Sequence, residues 1–211
     1  MNITYINHLG SDLTVVNAAR VSFDAQSTEL TDRDRRLIQY LADHGHWTPF
    51  AHAVLQYRVE APIFVARQWF RHTVGIARNE VSRRYVDYSP EFWAPEQWRT
   101  RPGGSIKQGS GEAADDDTAG PVDRLYRMCV ESAAAIYGDI IAGGIAPEQA
   151  RAVLPQGTYT AWIETASLYA VARIYRQRAD DHAQIEAQQL AGQLGAVAAE
   201  RYPVSWSALT G

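Results

Sequence analysis

Over residues 54–60 the chain alternates, with Leu55, Tyr57 and Val59 set against Gln56, Arg58 and Glu60. That period of two marks a half-buried strand, apolar on one face and polar on the other. The flanking sequence supplies helices. Thr31 followed by Asp34 is a capping-box variant that opens a helix through Ala42, with Leu37, Ile38 and Leu41 on one face and Gly45 beyond its end. After the strand, Pro62 suits the first turn of a helix on which Ile63, Ala66 and Phe70 share one face and Arg67 and Arg71 another. Residues 2–6 and 159–165 read as further strands. Residues 11–19, 121–142, 168–178 and 183–201 read as helices, with Pro147 opening a short additional one and Pro203 closing the last. Strands and helices mixed in this way predict an α+β fold.

The densest chemistry follows the central strand. Residues 68–85, QWFRHTVGIARNEVSRRY, hold four arginines, a histidine, an asparagine, a glutamate and a serine. Arginine presents a planar, permanently charged fork that matches phosphate or carboxylate oxygens two at a time, and Asn79, Glu80 and Ser82 add directional groups beside it. Residues 74–78 read as a loop that returns 79–85 past the end of the helix, an arrangement suited to an anion. The combination fits a phosphorylated heteroaromatic ligand.

Composition narrows the classes. A chain of 211 residues with 46% hydrophobic and 21% charged content is sized for one core, so residues 1–211 are expected to form a single domain. Residues 96–120, rich in Gly, Pro, Ser and Asp, read as a mobile surface excursion within it. The net charge of −4 argues against nucleic acid or an anionic membrane as the main partner. No apolar run approaches a membrane span and no basic region precedes an apolar run at the start, so the expected location is the cytoplasm. The single Cys129 can form no intramolecular disulfide. It falls on an apolar stripe with Leu125, Met128, Ala133 and Ile136, which assigns it to the core rather than to chemistry. His44, His46 and His52 lack an acidic residue at ligand spacing, so no metal is expected.

In order, Arg71-His72, Asn79-Glu80, Ser82 and Arg84-Tyr85 resemble the signature of the flavin-dependent thymidylate synthases, Arg-His-Arg, seven residues, then Ser. Thr73 stands at the third position, and eight residues separate it from Ser82. Segments around Arg20 to Phe23, Gly45 to Phe50, Ala61 to Phe70, Arg151 to Pro155 and Arg178 to Gln184 also resemble family segments in family order. The resemblance implies a central, mostly antiparallel sheet flanked by helices, in a homotetramer whose sites draw on several subunits. It implies reductive methylation of dUMP to dTMP, with methylenetetrahydrofolate as carbon donor and NADPH-reduced FAD as hydride source. By the same resemblance Gln68, Arg71, Glu80, Ser82, Arg83, Arg84, Arg151 and Arg178 contact dUMP, with Arg178 polarising the pyrimidine. Ser22, Thr48, Arg71, His72, Thr73, Asn79, Glu80, Ser167, Tyr169 and Arg173 fall on the FAD side. Ser82 has no visible base and reads as a hydrogen-bonding group.

Thr73 cannot replace the charge of the family arginine. Arg78, in the lengthened loop between Thr73 and Asn79, and Arg173 are the candidates to compensate; the alternative is that Arg78 points into solvent and backbone N–H groups hold the flavin diphosphate. The rival functions are a catalytically silent relative that binds a uridine nucleotide without efficient flavin chemistry, and a non-enzymatic nucleotide binder.

Overall fold

A computed structural model describes residues 1–86, 88–103 and 109–211. Part of the excursion expected over 96–120, residues 104–108, lies outside the described residues. Four strands, β1 (Asn2–Leu9), β2 (Val54–Pro62), β3 (Ile76–Glu80) and β4 (Tyr159–Ser167), form an antiparallel sheet in the order β1-β2-β4-β3. The eight helices among the described residues are α1 (Asp12–Arg20), α2 (Asp32–Asp43), α3 (Ile63–Trp69), α4 (Asp116–Ala142), α5 (Pro147–Ala150), α6 (Leu168–Arg178), α7 (Ile185–Arg201) and α8 (Pro203–Thr210). None of the helices is long and apolar enough to cross a membrane, among the described residues.

The described chain divides into two compact units. The first comprises Met1–Val59, Trp69–Asn79 and Trp162–Gly211. Its core joins the inward face of β2, Leu55, Tyr57 and Val59, to Trp69, Trp162, Leu168, Ile174, Leu190 and Leu194, all essentially without exposure. The alternation that announces β2 is therefore the alternation of its burial. The second unit comprises Glu60–Gln68 and Glu80–Ala161. There Val130, Ala133 and Tyr137 of α4 are buried, Phe64 meets Trp93 edge to face with ring centroids 5.1 Å apart, and Trp98 packs similarly on Tyr126.

Asp34 shows how local capping becomes a tertiary tie. Its Oδ2 accepts from the Thr31 backbone N–H at 3.0 Å and from the Thr31 hydroxyl at 2.6 Å, and its Oδ1 pairs with Arg20 at the end of α1. The carboxyl is 1% exposed. Its pKa is lowered from 3.8 to about 2, chiefly by the Thr31 hydroxyl, against the opposing pull of burial. A carboxyl held below its unfolded value stabilises the fold above the unfolded pKa and loses that contribution as pH falls toward the folded one. Asp34 is therefore expected to contribute about 2 kcal/mol at neutral pH. The stability gap between wild type and Asp34→Asn, followed by denaturant titration, should shrink between pH 4 and pH 2; a gap independent of pH would refute this.

The observed elements differ from the sequence reading in five places. Residues 74–78 are not a loop throughout: Val74 and Gly75 make a turn, and Ile76 starts β3 beside β4. Ile-Ala-Arg-Asn-Glu has no apolar alternation, so its strand state comes from its neighbour rather than from its own pattern. Helix α4 begins at Asp116, capped by Asp115 through the Thr118 N–H at 2.9 Å, which places Pro121 inside the helix. The stripe on α4 also shifts. Leu125, Met128, Cys129 and Ile136 are exposed, so Cys129 is not a core residue. Both faces of α4 are apolar in sequence, and periodicity alone cannot choose between them. Lastly, β2 runs through Pro62, and Pro203 opens α8 rather than ending the helical region. The cap that makes α8 possible is distant, since the buried Asp12 accepts from the Val204 and Ser205 N–H groups at 3.0 and 2.8 Å.

Gly75 adopts φ +77°, and a Cβ there would lie 2.8 Å from Ser167 Oγ. Gly75→Ala is expected to destabilise the fold by about 1–3 kcal/mol, combining left-handed backbone strain with the clash. Chemical denaturation of Gly75→Ala with and without Ser167→Ala separates the two parts; a loss below ~0.5 kcal/mol would contradict the geometry.

Candidate active site

In the first unit, α3 ends at Trp69, and a turn closed by the His72 N–H on Trp69 O (3.1 Å) carries Arg71 outward and His72 inward. The His72 ring is buried, and its Nε2 accepts from Arg178 Nε at 3.0 Å. An acceptor at Nε2 leaves the ring hydrogen on Nδ1. Burial, reinforced by Arg178, Arg173 and Arg78, lowers the His72 pKa to about 4, so the imidazole is neutral at pH 7. Burial, and then Arg71, also lowers the pKa of Arg178. Arg71, His72, Arg173 and Arg178, four of the residues singled out in the sequence, thus form one electrostatic neighbourhood.

Beneath it lies a group that the sequence reading missed. Glu164 on β4 is fully buried, accepting from Tyr57 OH at 2.6 Å, Trp69 Nε1 at 3.3 Å, Trp162 Nε1 at 3.0 Å and Arg78 Nε at 2.5 Å. Burial and the adjacent carboxylate push the Tyr57 phenol up, which keeps it a donor. Arg78 also donates through Nη2 to His72 O at 3.2 Å and lies 4.6 Å above the Phe70 ring. Its guanidinium is committed to Glu164, so it neither points into solvent nor stands ready to replace the charge missing at Thr73. A signal for Glu164 was present: strand alternation places it in phase with Trp162 and Ala166, an acid in an inward position.

The other flavin-side candidates of this unit are more dispersed. Ser167 is the N-cap of α6, its Oγ accepting from Ala170 N at 3.3 Å. Tyr169 packs against Trp47 with ring centroids 5.9 Å apart, lining a small cavity with His46, Phe50 and Arg176. Ser22, Thr48, Thr73 and Asn79 are exposed.

Within the second unit, Glu80 Oε1 accepts from the Thr160 hydroxyl at 2.7 Å. Ser82 Oγ accepts from both Arg84 N and Arg84 Nε at 3.3 Å. A guanidinium cannot take the serine proton, which agrees with a hydrogen-bonding Ser82. Arg83 donates to Tyr88 O at 2.6 Å and stacks over the Tyr88 ring. Arg151 is exposed, with Nε on Glu148 O at 3.1 Å, and Gln68 is half-buried on α3.

The cation cluster fits anionic ligands: Arg71, Arg173 and Arg178 stand around a neutral histidine, while Glu164 is matched with Arg78. Flavin diphosphate and nucleotide phosphate both meet that requirement. The fold is shared with a UMP/dUMP methylase, PolB from Streptomyces cacaoi. The PolB structure bound with 5-Br dUMP has a TM-score of 0.87 and 32% identity, covering 99% of this chain and 94% of that one. The one bound with 5-Br UMP has a TM-score of 0.88 and 30% identity, covering 99% and 93%. In fold and sequence the chain is thus similar to an enzyme that methylates a pyrimidine nucleotide.

The family described as thymidylate synthase complementing protein matches residues 4–204. A flavin-dependent thymidylate synthase from Thermosipho africanus is 36% identical over 203 residues, which is 96% of this chain and 88% of that protein. Another from Thermus thermophilus is 34% identical over 206 residues, 98% and 74% respectively. The chain belongs to the thymidylate synthase complementing protein family, the flavin-dependent thymidylate synthases.

Proposed function

We propose that this chain makes dTMP from dUMP with methylenetetrahydrofolate as carbon donor and NADPH as the source of electrons for its FAD, working in the cytoplasm as a single-domain subunit of a homotetramer. The observation that carries the reading is the Arg178–His72 pair inside the Arg71, Arg173 and Arg178 cluster, in a chain of this family. When bound, FAD supplies the hydride; the protein's share is placement and field. Arg178 stabilises negative charge developing on the pyrimidine, and neutral His72 fixes the plane of its guanidinium by accepting from Nε. A neutral partner holds Arg178 without cancelling its charge. Ser82, Arg83, Arg84 and Arg151, with Gln68, Arg71 and Glu80, are assigned to the nucleotide. Ser22, Thr48, His72, Thr73, Asn79, Ser167, Tyr169 and Arg173 are assigned to FAD, with Arg71 and Glu80 serving both.

The test is an anaerobic assay with dUMP, methylenetetrahydrofolate, FAD and NADPH, with UMP run in parallel because the solved methylase takes both nucleotides. Formation of dTMP is expected. Flavin bound without product would establish the catalytically silent alternative.

A further inference from the structure

The Arg78–Glu164 pair belongs to neither ligand-binding set, yet its carboxylate is fully buried and accepts four hydrogen bonds from side chains. Two tryptophan N–H groups, a tyrosine hydroxyl and a guanidinium converge on one carboxylate with no exposure. A buried ion pair is weak ground for stability, since desolvation offsets much of its attraction, and such pairs are better at fixing one arrangement against others. The geometry shows what is fixed. Arg78 spans two acceptors, with Nε on Glu164 Oε2 and Nη2 on the backbone oxygen of His72. Phe70 closes the face of the guanidinium and is itself held edge-on by Trp162 at 5.0 Å. His72 in turn receives Arg178 Nε. The chain of contacts runs from a fully buried carboxylate to the arginine assigned to the pyrimidine.

We propose that Arg78 and Glu164 are positioning residues for Arg178, acting through the backbone and ring of His72. The proposal rests on the reading of Arg178 given above. Arg78 lies in the lengthened segment between Thr73 and Ser82, so this arginine serves the arrangement of Arg178 rather than the flavin charge. A lysine at position 78 would keep the ion pair with Glu164, but a single ammonium lacks the planar fork that reaches His72 O at the same time.

The experiment is a kinetic cycle on the flavin-loaded protein, reading kcat, dUMP KM and melting temperature for Arg78→Lys, Arg178→Lys and both together. Arg78→Lys is expected to keep its melting temperature within a few degrees and to lower kcat about tenfold, the effect of losing one directional hydrogen bond. In the Arg178→Lys background the same change should lower kcat no further, whereas a purely structural role would cost the same factor in both backgrounds. Unchanged kcat in Arg78→Lys, or equal factors in the two backgrounds, overturns the proposal alone. Full turnover in Arg178→Lys overturns the reading of Arg178 and the proposal with it. Should Arg78→Lys unfold, the charge-free pair Arg78→Gln with Glu164→Gln replaces it in the same cycle, with the same expected coupling.

Discussion

Arg178→Ala is expected to lower kcat for dUMP methylation by roughly ten- to over a hundredfold while FAD remains bound, because a charge-assisted contact made in the transition state is worth ~1.5–3 kcal/mol. The side chain leaves behind a buried acceptor, His72 Nε2, whose donor it was. Some loss of stability should accompany the kinetic effect, so the melting temperature is read alongside turnover. Arg84 offers the contrast. It sits on the Ser82 hydroxyl in the second unit and is assigned to the phosphate, so Arg84→Ala should raise the dUMP KM more than it lowers kcat. A rise in dUMP KM alone on removing Arg178 would show that it binds the nucleotide without assisting the chemical step. The His72 pKa of about 4 adds a further check: the imidazole stays neutral from neutral pH down to about 5, so the wild-type profile should show no loss over that range attributable to this ring.

Much of this arrangement was legible from local pattern. Period-two patterning announced β2, the Thr31/Asp34 box announced α2, and motif order singled out Arg71, His72 and Arg178 as candidates, which the fold brings into one neighbourhood. What escaped was set by partners far along the chain. Ile76 to Glu80 becomes a strand because β4 lies alongside, and α8 forms where Asp12 caps it from 192 and 193 residues away. Arg78 illustrates the limit at the site itself. Its position in a lengthened segment drew notice, but nothing in the neighbouring residues names Glu164, 86 positions later, as its counter-charge. The Cys129 reading failed for a different reason, since two adjacent apolar stripes share α4 and burial selects Val130, Ala133 and Tyr137.

Glu164→Gln is expected to be among the most destabilising single changes in the first unit, at about 3–5 kcal/mol, because it leaves the Arg78 guanidinium, 14% exposed, without its counter-charge. The amide keeps an oxygen for Tyr57 or a tryptophan N–H, but it also brings an NH2 group into a ring of donors, where it has nothing to give to. Removing both charges relieves this. Arg78→Met with Glu164→Gln should recover a substantial part of the loss, since the unbalanced buried cation is then gone and Met can occupy the space over Phe70. Chemical denaturation of the two singles and the double, on flavin-free protein, measures the coupling directly without reference to catalysis. If the double variant is as unstable as the sum of the singles, the pair does not interact as its 2.5 Å separation requires, and the carboxylate is held by Tyr57, Trp69 and Trp162 instead.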